Sequence, residues 1–352
     1  MIAVPTRGAI MLALAGALTI GLLAPASSGT GATTASSVDP TASATKALGP
    51  KLSLATYNIC NPRCGSGWKS WEKRRLKMAR TVGAAGADIV AIQEAENQYY
   101  GETRHWTDVA GLLIRKGYAI ANTNITECQT FCTRETHVFY RRSRFELVQS
   151  SSGDSAGLQS LEDLTGPGWG GSISNRSFSW AFLRHRSSGA EFLAVSVHLH
   201  PNETARGERL RVRAARAIRS WIDRELTLRG KPGLPVAVMG DLNSFAARQP
   251  KGAQKVFYRA GFRDSFQARK KIRPNYSTVN INWNNLKYAG WPPKPYAYPG
   301  EGARVDYILV RNASRLVQYR TFLRLRKNGR FKNRFRSSDH NLISAVVRIP
   351  VT

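Results

Sequence analysis

Residues 235–243 read Pro-Val-Ala-Val-Met-Gly-Asp-Leu-Asn, an apolar run of strand length that closes on Asp241 and Asn243. A short unbroken apolar run bounded by turn residues marks a strand covered on both faces. The same pattern recurs outward in both directions. LSLATYNI (52–59) closes on Asn58, DIVAIQE (88–94) on Glu94 and EFLAVSVHLH (191–200) on His198, while Asp339 and His340 stand at the head of the last run, HNLISAVVRI (340–349). A packed sheet that brings such ends to one rim gathers carboxylates, amides and two imidazoles into one cleft. That is the donor set of metal-assisted hydrolysis. The alternative, a set of polar residues buried by coincidence, conflicts with the rarity of buried charged groups that lack a partner or a metal.

Helices separate these runs. Trp71, Arg74, Arg75, Met78 and Val82 fall at helical spacing, and Gly83 to Gly86 stops that helix. Trp106 to Leu113 predicts a second helix. Residues 203–226 put Leu210, Ala214, Ile218 and Trp221 on one stripe with arginines elsewhere, an amphipathic helix whose arginines read as a solvated face. YAIANT (118–123) and HVFYRR (137–142) are strands flanking a cysteine loop. After a Gly/Ser-rich stretch (150–174), SFSWAFLRH and EFLAVSVHLH alternate around a Ser-Ser-Gly turn and predict a hairpin. VFYRAGFRDSF carries a short helix and RVDYILV (304–310) is a further strand. No solenoid-type repeat is visible.

The chain has 352 residues, 42% hydrophobic, which supports a sizeable core and excludes both global disorder and a disulfide-stapled miniature fold. Its formal charge of +29 points to polyanionic partners. Arg7, an apolar run from Ala9 to Leu23 and Ala24-Pro25-Ala26 have the layout of a secretory signal peptide, so residues 1–26 are expected to be removed and the protein secreted. Residues 27–47 read as a Ser/Thr/Ala-rich flexible linker, leaving a domain over 48–352. Residues 1–46 hold only Arg7, Lys46 and Asp39 as charges, so the basic balance belongs to the domain. Cys60 and Cys64, and Cys128 and Cys132, are two pairs at one spacing. An oxidising compartment favours two local bridges, with cross-pairing and a four-cysteine zinc site as alternatives.

Taken in chain order, ATYNI, DIVAIQE, VHLHP, MGDLNS, RVDYILV and SSDH resemble the motif series of the endonuclease/exonuclease/phosphatase superfamily, the fold of deoxyribonuclease I, over residues 51–349. The resemblance implies an α/β four-layered sandwich, two packed central sheets flanked by helices, and hydrolysis of phosphate esters with a divalent metal. It implies a metal shell of Asn58 and Glu94, joined by Asp339, and hard oxygen ligands suit Mg²⁺, with Mn²⁺ as a substitute and Ca²⁺ as a structural ion. It places His198 and His340 as the two catalytic histidines, Asp241 and Asn243 as the pair that orients the attacking water and holds the phosphate, and Asp306 behind His340. Glu135 falls near the position of a carboxylate behind His198, about a residue out of register. The chain reads SVHLH where relatives have an Asn-Thr-His core, which removes a threonine contact to phosphate. His200 followed by Pro201 reads as a rim loop histidine and not as a second ligand.

The motifs leave the substrate open. From Arg311 to Arg336 there are ten Lys or Arg, and Asn328-Gly329 predicts a two-residue hairpin turn that sets Phe322 opposite Phe335, Arg324 opposite Asn333 and Arg326 opposite Phe331. Such a ribbon, with Arg324, Arg326, Lys327, Arg330, Lys332, Arg334 and Arg336, can track a phosphate backbone and leads straight into Asp339 and His340. The bland reading is an edge protected by charge. The aromatic segment 283–299 suits a membrane interface, a packed loop or a base-stacking rim. The favoured expectation is a non-specific DNA endonuclease acting as a monomer without a protein partner. A phospholipid head-group phosphodiesterase drawn to anionic membrane, and an inactive polyanion-binding protein, are the alternatives.

Overall fold

The computed structural model describes residues 49–64, 68–121, 135–148, 153–169, 176–247, 252–279, 301–329 and 331–351. The expected signal peptide and linker, Cys128, Cys132, Arg330 and the aromatic segment 283–299 lie outside the described residues. Two seven-stranded sheets form the centre. The first runs β13 (Lys270–Ile272), β15 (Arg315–Thr321), β16 (Ile343–Arg348), β1 (Lys51–Asn58), β2 (Ile89–Gln93), β6 (His137–Arg141) and β5 (Tyr118–Ile120). The second runs β12 (Arg263–Asp264), β14 (Asp306–Arg311), β11 (Val236–Asp241), β10 (Glu191–His198), β9 (Ser177–His185) and β7 (Phe145–Leu147), with β8 (Ala156–Ser160) also pairing with β9. A small hairpin, β3 (Tyr99–Tyr100) and β4 (Thr103–Arg104), stands apart.

Helices cover the outer faces. α1 (Trp71–Ala85) and α2 (His105–Ile114) bury Trp71, Met78, Val82, Val109 and Leu113 against Ala55, Tyr57, Val90 and Ile92 of the first sheet. α3 (Leu161–Thr165), α4 (Ala205–Leu228) and α5 (Ala253–Arg259) bury Leu161, Leu210, Ile218, Trp221 and Phe257 against Phe178, Val195, Val197 and Val238 of the second. The order is helix, sheet, sheet, helix, the four layers expected. α1 stops at Gly86, whose φ of 64° is the left-handed conformation that glycine adopts without strain. β8 and α3 sit inside the stretch whose Gly and Ser content masked any pattern.

The sheets face each other through one apolar layer that includes Leu52, Leu54, Ile89, Ala91, Phe192, Ala194, Ala237 and Met239. Side chains alternate along a strand, so the next inward positions are Thr56, Gln93 and Ser196, and after them Asn58, His198 and Asp241. The interior thus changes from hydrocarbon to polar over two residues. Thr56 Oγ1 donates to Gln93 Oε1 (3.1 Å), Gln93 Nε2 donates to Ser196 Oγ (3.1 Å) and Ser196 Oγ donates to Ile92 O (3.2 Å), which joins the sheets and leaves this buried layer paired. β1 and β2 pair in parallel across α1, and β10 and β11 across α4, so both units present their strand C-terminal ends at the same rim.

One expectation is corrected. Asn328-Gly329 does not form a two-residue hairpin turn. The Gly329 N–H donates to Arg326 O (3.1 Å), Gly329 takes φ 76°, and Leu325 bridges Phe331 with the Lys332 N–H on Arg324 O. A type I turn followed by a left-handed glycine uses a longer loop, and this shifts the predicted pairing by one residue. Residues Asn333–Phe335 then form a 3₁₀ turn in place of a returning strand. Cys60 is bonded to Cys64, the first of the two local bridges expected, and this sets aside the alternatives of cross-pairing and a four-cysteine zinc site.

Arg74, fully buried on α1, joins the layers at the rim. Its Nε donates to Lys69 O (2.7 Å), Nη1 to Ile59 O (3.0 Å) and Ser337 O (2.7 Å), and Nη2 to Cys60 O (3.1 Å) and Asn61 O (2.8 Å). Arg74→Met fills similar space and strands these carbonyls. It is expected to destabilise the fold by about 3–5 kcal/mol in urea unfolding, read as a lower midpoint at constant slope. A loss below about 1 kcal/mol would mean that water replaces the guanidinium and that Arg74 braces nothing.

Candidate active site

The rim is built by register. His198 pairs with Asp241 across β10 and β11, and Asp241 with Asp306 across β11 and β14, so three strands deliver three neighbouring polar side chains. Asn58, the last residue of β1, spans the gap between the sheets: its Nδ2 donates to Glu94 Oε1 (2.9 Å) and to Asp241 Oδ2 (3.2 Å), and its Oδ1 accepts from the Cys60 N–H (3.0 Å). Glu94 would point outward with Val90 and Ile92 if β2 continued. A φ of 63° breaks the alternation and swings its carboxylate into the cleft, where Oε2 accepts from the Asn61 N–H (2.8 Å). Asn243 also has positive φ, 48°, donates its N–H to Asp241 Oδ1 (2.8 Å) and its Nδ2 to Leu199 O (3.0 Å). Left-handed backbone at non-glycine residues costs about 1–3 kcal/mol each and gathers at functional sites.

Each histidine has its own partner. His340 Nδ1 lies 2.9 Å from Asp306 Oδ2 and its Nε2 3.6 Å from Asp241 Oδ2. His198 Nδ1 lies 3.1 Å from Glu135 Oε1, and its Nε2 is likewise 3.6 Å from Asp241 Oδ2. Asp241 therefore sits between two imidazole nitrogens. Glu135, about a residue out of register in the sequence, does reach His198. His200 lies in the loop after β10, where its Nδ1 accepts from the Asn202 N–H (3.2 Å). Ser338 Oγ donates to Asn58 O (2.7 Å) and accepts from the His340 N–H (3.0 Å), which fixes the Asp339–His340 segment to β1.

The sequence reading missed Arg176. It is buried, pairs with Glu135 through Nη1, and the same Nη1 lies 3.2 Å from His198 Nδ1. It stands one residue ahead of β9, a strand that starts at the rim, as β14 starts there with Asp306. A search of strand ends alone overlooks strands that begin at the cleft.

Electrostatics separate the two histidines. Burial pulls the His340 imidazole down, but Asp306 and Asp241 outweigh it and hold it well above its ordinary value. At His198 burial comes first, the Arg176 guanidinium adds to it, and the group falls to about 4. Burial raises the Asp339 carboxyl, and Glu94 adds to the rise. Burial also raises Asp241, with Asp306 adding to it. Buried carboxylates that oppose each other's ionisation, as Asp241 and Asp306 do, offer hard oxygen donors that a divalent cation would satisfy. Among the described residues Asp241, Asp306 and His340 bring one donor atom each within 4.8 Å of one another, while Glu94, Asp339 and Asn58 are the shell that the resemblance implies.

On the flank, Arg324, Arg326, Lys327 and Arg334 face solvent and Lys332 is half-buried. Arg324 and Arg334 lie over the Phe335 ring at 5.0 and 4.8 Å. Arg336 turns inward onto Trp68 (4.6 Å) and Phe331 (5.3 Å), and burial lowers it to about 10, so it is removed from the set of outward cations.

Residues 55–340 match the Endonuclease/Exonuclease/phosphatase family. Among solved structures, an endonuclease/exonuclease/phosphatase from Bacteroides vulgatus superposes with a TM-score of 0.62 at 18% identity, covering 85% of this chain and 99% of the other. The mannosyl-6-phosphatase of Bacteroides thetaiotaomicron gives 0.60 at 21%, covering 84% and 99%. The catalytic domain of human Nocturnin with a bound sulfate gives 0.54 at 18%, covering 85% and 95%. No curated protein matches the sequence.

The opposed shifts are directly measurable. In ¹⁵N imidazole spectra of the protein in EDTA, His340 is expected to carry protons on both nitrogens at pH 7. His198 should stay neutral on acidification until near pH 4. A neutral His340 at pH 7, or a His198 already charged at pH 6, would contradict this division.

Proposed function

Because the chain belongs to the Endonuclease/Exonuclease/phosphatase family, whose members hydrolyse phosphate esters, we propose that it is a secreted, Mg²⁺-dependent phosphodiesterase that cuts DNA internally with little reading of sequence. The observation that carries the choice of substrate is the outward row Arg324, Arg326, Lys327 and Arg334, on the segment that runs directly into Ser338, Asp339 and His340. A polymer phosphate seated in the cleft then meets guanidinium groups along its own backbone. Such contacts bind any sequence and weaken with salt. The formal charge of +29 adds long-range attraction of the same sign.

Glu94 and Asp339, with Asn58 beside them, would hold Mg²⁺, which when bound neutralises charge growing on the phosphoryl oxygens. The chain's own groups handle the protons. Water attacks phosphorus in line and gives its proton to Asp241 Oδ2, the carboxylate oxygen that lies 3.6 Å from both imidazole Nε2 atoms. His198, neutral and turned by Glu135 on Nδ1, offers Nε2 as a second acceptor for that water. His340, charged and held by Asp306, donates Nε2–H to the leaving oxygen. Asn243, fixed on Leu199 O, holds the phosphate. One acid and one base side by side, with their proton affinities pushed apart, suit this division of work.

The test is supercoiled plasmid incubated with the full chain in Mg²⁺ or EDTA, beside His340→Ala and His198→Ala variants whose folding is checked by circular dichroism. Nicked and linear products are expected only with the metal, with loss of about 10²-fold or more in each variant. Intact plasmid in every arm would overturn the nuclease reading, and undiminished cutting by the variants would overturn the assigned roles.

A further inference from the structure

The arginines of α4 fall into two sets. One is engaged: buried Arg211 donates to His200 O (2.8 Å), Asn202 O (2.6 Å) and Glu208 Oε2 (2.7 Å), and Arg219 pairs with Asp223 (2.8 Å). The other is Arg206, Arg209, Arg213, Arg216 and Arg224, whose spacing returns them to one stripe within about 80° of the helix surface. Among the described residues Arg206, Arg209, Arg213 and Arg216 pair with no carboxylate, and Arg224 has only its neighbour Glu225 at 3.9 Å. A row of like charges is unfavourable until an anion joins it.

A groove of about 500 Å³ opens along this stripe between α3 and α4, walled by Leu164, Thr165, Arg213, Arg216, Trp221 and Arg224. Arg213 is fixed in place. Its guanidinium stacks on Trp169 at 4.6 Å, and Nη2 donates to the carbonyls of Thr165 (3.0 Å), Gly166 (3.3 Å) and Pro167 (3.2 Å). Neutral carbonyls orient the cation and leave its charge uncompensated. An oriented guanidinium loses little freedom on meeting a phosphate.

The stripe leads to the cleft. α4 begins seven residues after His198, its Glu208 accepts from Ser244 Oγ (3.1 Å) beside Asn243, and Arg206 stands near enough to His200 to help lower that imidazole. From Arg206 to Arg224 the helix rises about 27 Å, the axial length of about eight nucleotides of one strand. No large apolar side chain is exposed between these two residues. An interfacial helix would carry some, so a phosphate polymer fits the face better than a lipid surface.

We propose that the stripe and groove of α4 form a second, non-catalytic track for the phosphate backbone of DNA, continuous with the cleft; that the occupant is DNA rests on the nuclease reading above. The test is the full chain against an Arg209→Gln/Arg216→Gln/Arg224→Gln variant, all three residues exposed, with binding of a fluorescent 30-base-pair duplex followed by anisotropy in EDTA over a series of NaCl concentrations. The variant is expected to bind about 10-fold more weakly near 0.1 M salt and to show a salt slope shallower by about 2–3, one phosphate per arginine. Its turnover of bis(4-nitrophenyl) phosphate with Mg²⁺, a diester too small to reach α4, should equal the parent's. Unchanged duplex affinity and slope overturn the track, as does equal loss on the small diester, which would place the effect in the cleft. If the parent cuts no plasmid but the affinity difference persists, the nuclease reading falls and the track stands. A parent that does not bind duplex overturns both.

Discussion

The cleft depends on the buried guanidinium of Arg74. This one group accepts no solvent and holds carbonyls from Ile59, Cys60 and Asn61, which follow β1, together with Ser337, which precedes the Asp339–His340 pair. Those segments come from opposite ends of the domain and carry opposite parts of the site. The first supplies the Cys60 and Asn61 N–H groups that orient Asn58 and Glu94, and the second supplies His340. A buried cation is costly unless its donors are met, and here carbonyls meet them without neutralising its charge. The Cys60–Cys64 bond closes the same loop, so chain connectivity and hydrogen bonding restrain one short segment twice.

Around that anchor the site arises from strand geometry. Inward positions that carry Leu54, Ala91, Ala194 and Met239 in the apolar layer carry Asn58, His198 and Asp241 at the rim, with Thr56, Gln93 and Ser196 between them. A direct step from hydrocarbon to carboxylate would leave buried charge against apolar surface, and the intervening amide and hydroxyls supply dipoles that soften it. Glu94 is the exception that clarifies the rule. Alternation would place it on the helix-covered face, and only the left-handed backbone at that residue brings its carboxylate inward.

This explains what was legible in the sequence. Strands of five or more apolar residues declare themselves, and their polar last residues mark the rim, so Asn58, Glu94, His198 and Asp241 could be read one by one. β8 and α3 were hidden because short elements among Gly and Ser have no period to detect. The register of the 325–331 bridge was misread because Asn-Gly suits two turn types and only tertiary context selects between them. Arg176 was missed for a simpler reason: it opens a strand instead of closing one. Its partnership with Glu135 joins chain segments 41 residues apart, which no local pattern encodes.

The formal charge also needs the structure to be interpreted. Arg74, Arg176, Arg211, Arg304 and Arg336 are buried: Arg304 pairs with Asp264 and lies 3.9 Å from the Phe266 ring, and Arg336 packs on Trp68. These cations hold the fold and add little to the field that a partner meets at close range. Two rows of outward charge adjoin the site, the 324–334 segment, which leads to Asp339 and His340, and the stripe of α4, which starts just beyond His198. Both approach the cleft from the chain segments that carry the two histidines. The residues that would grip a polymer phosphate are therefore joined by a few peptide units to the residues that would cut it.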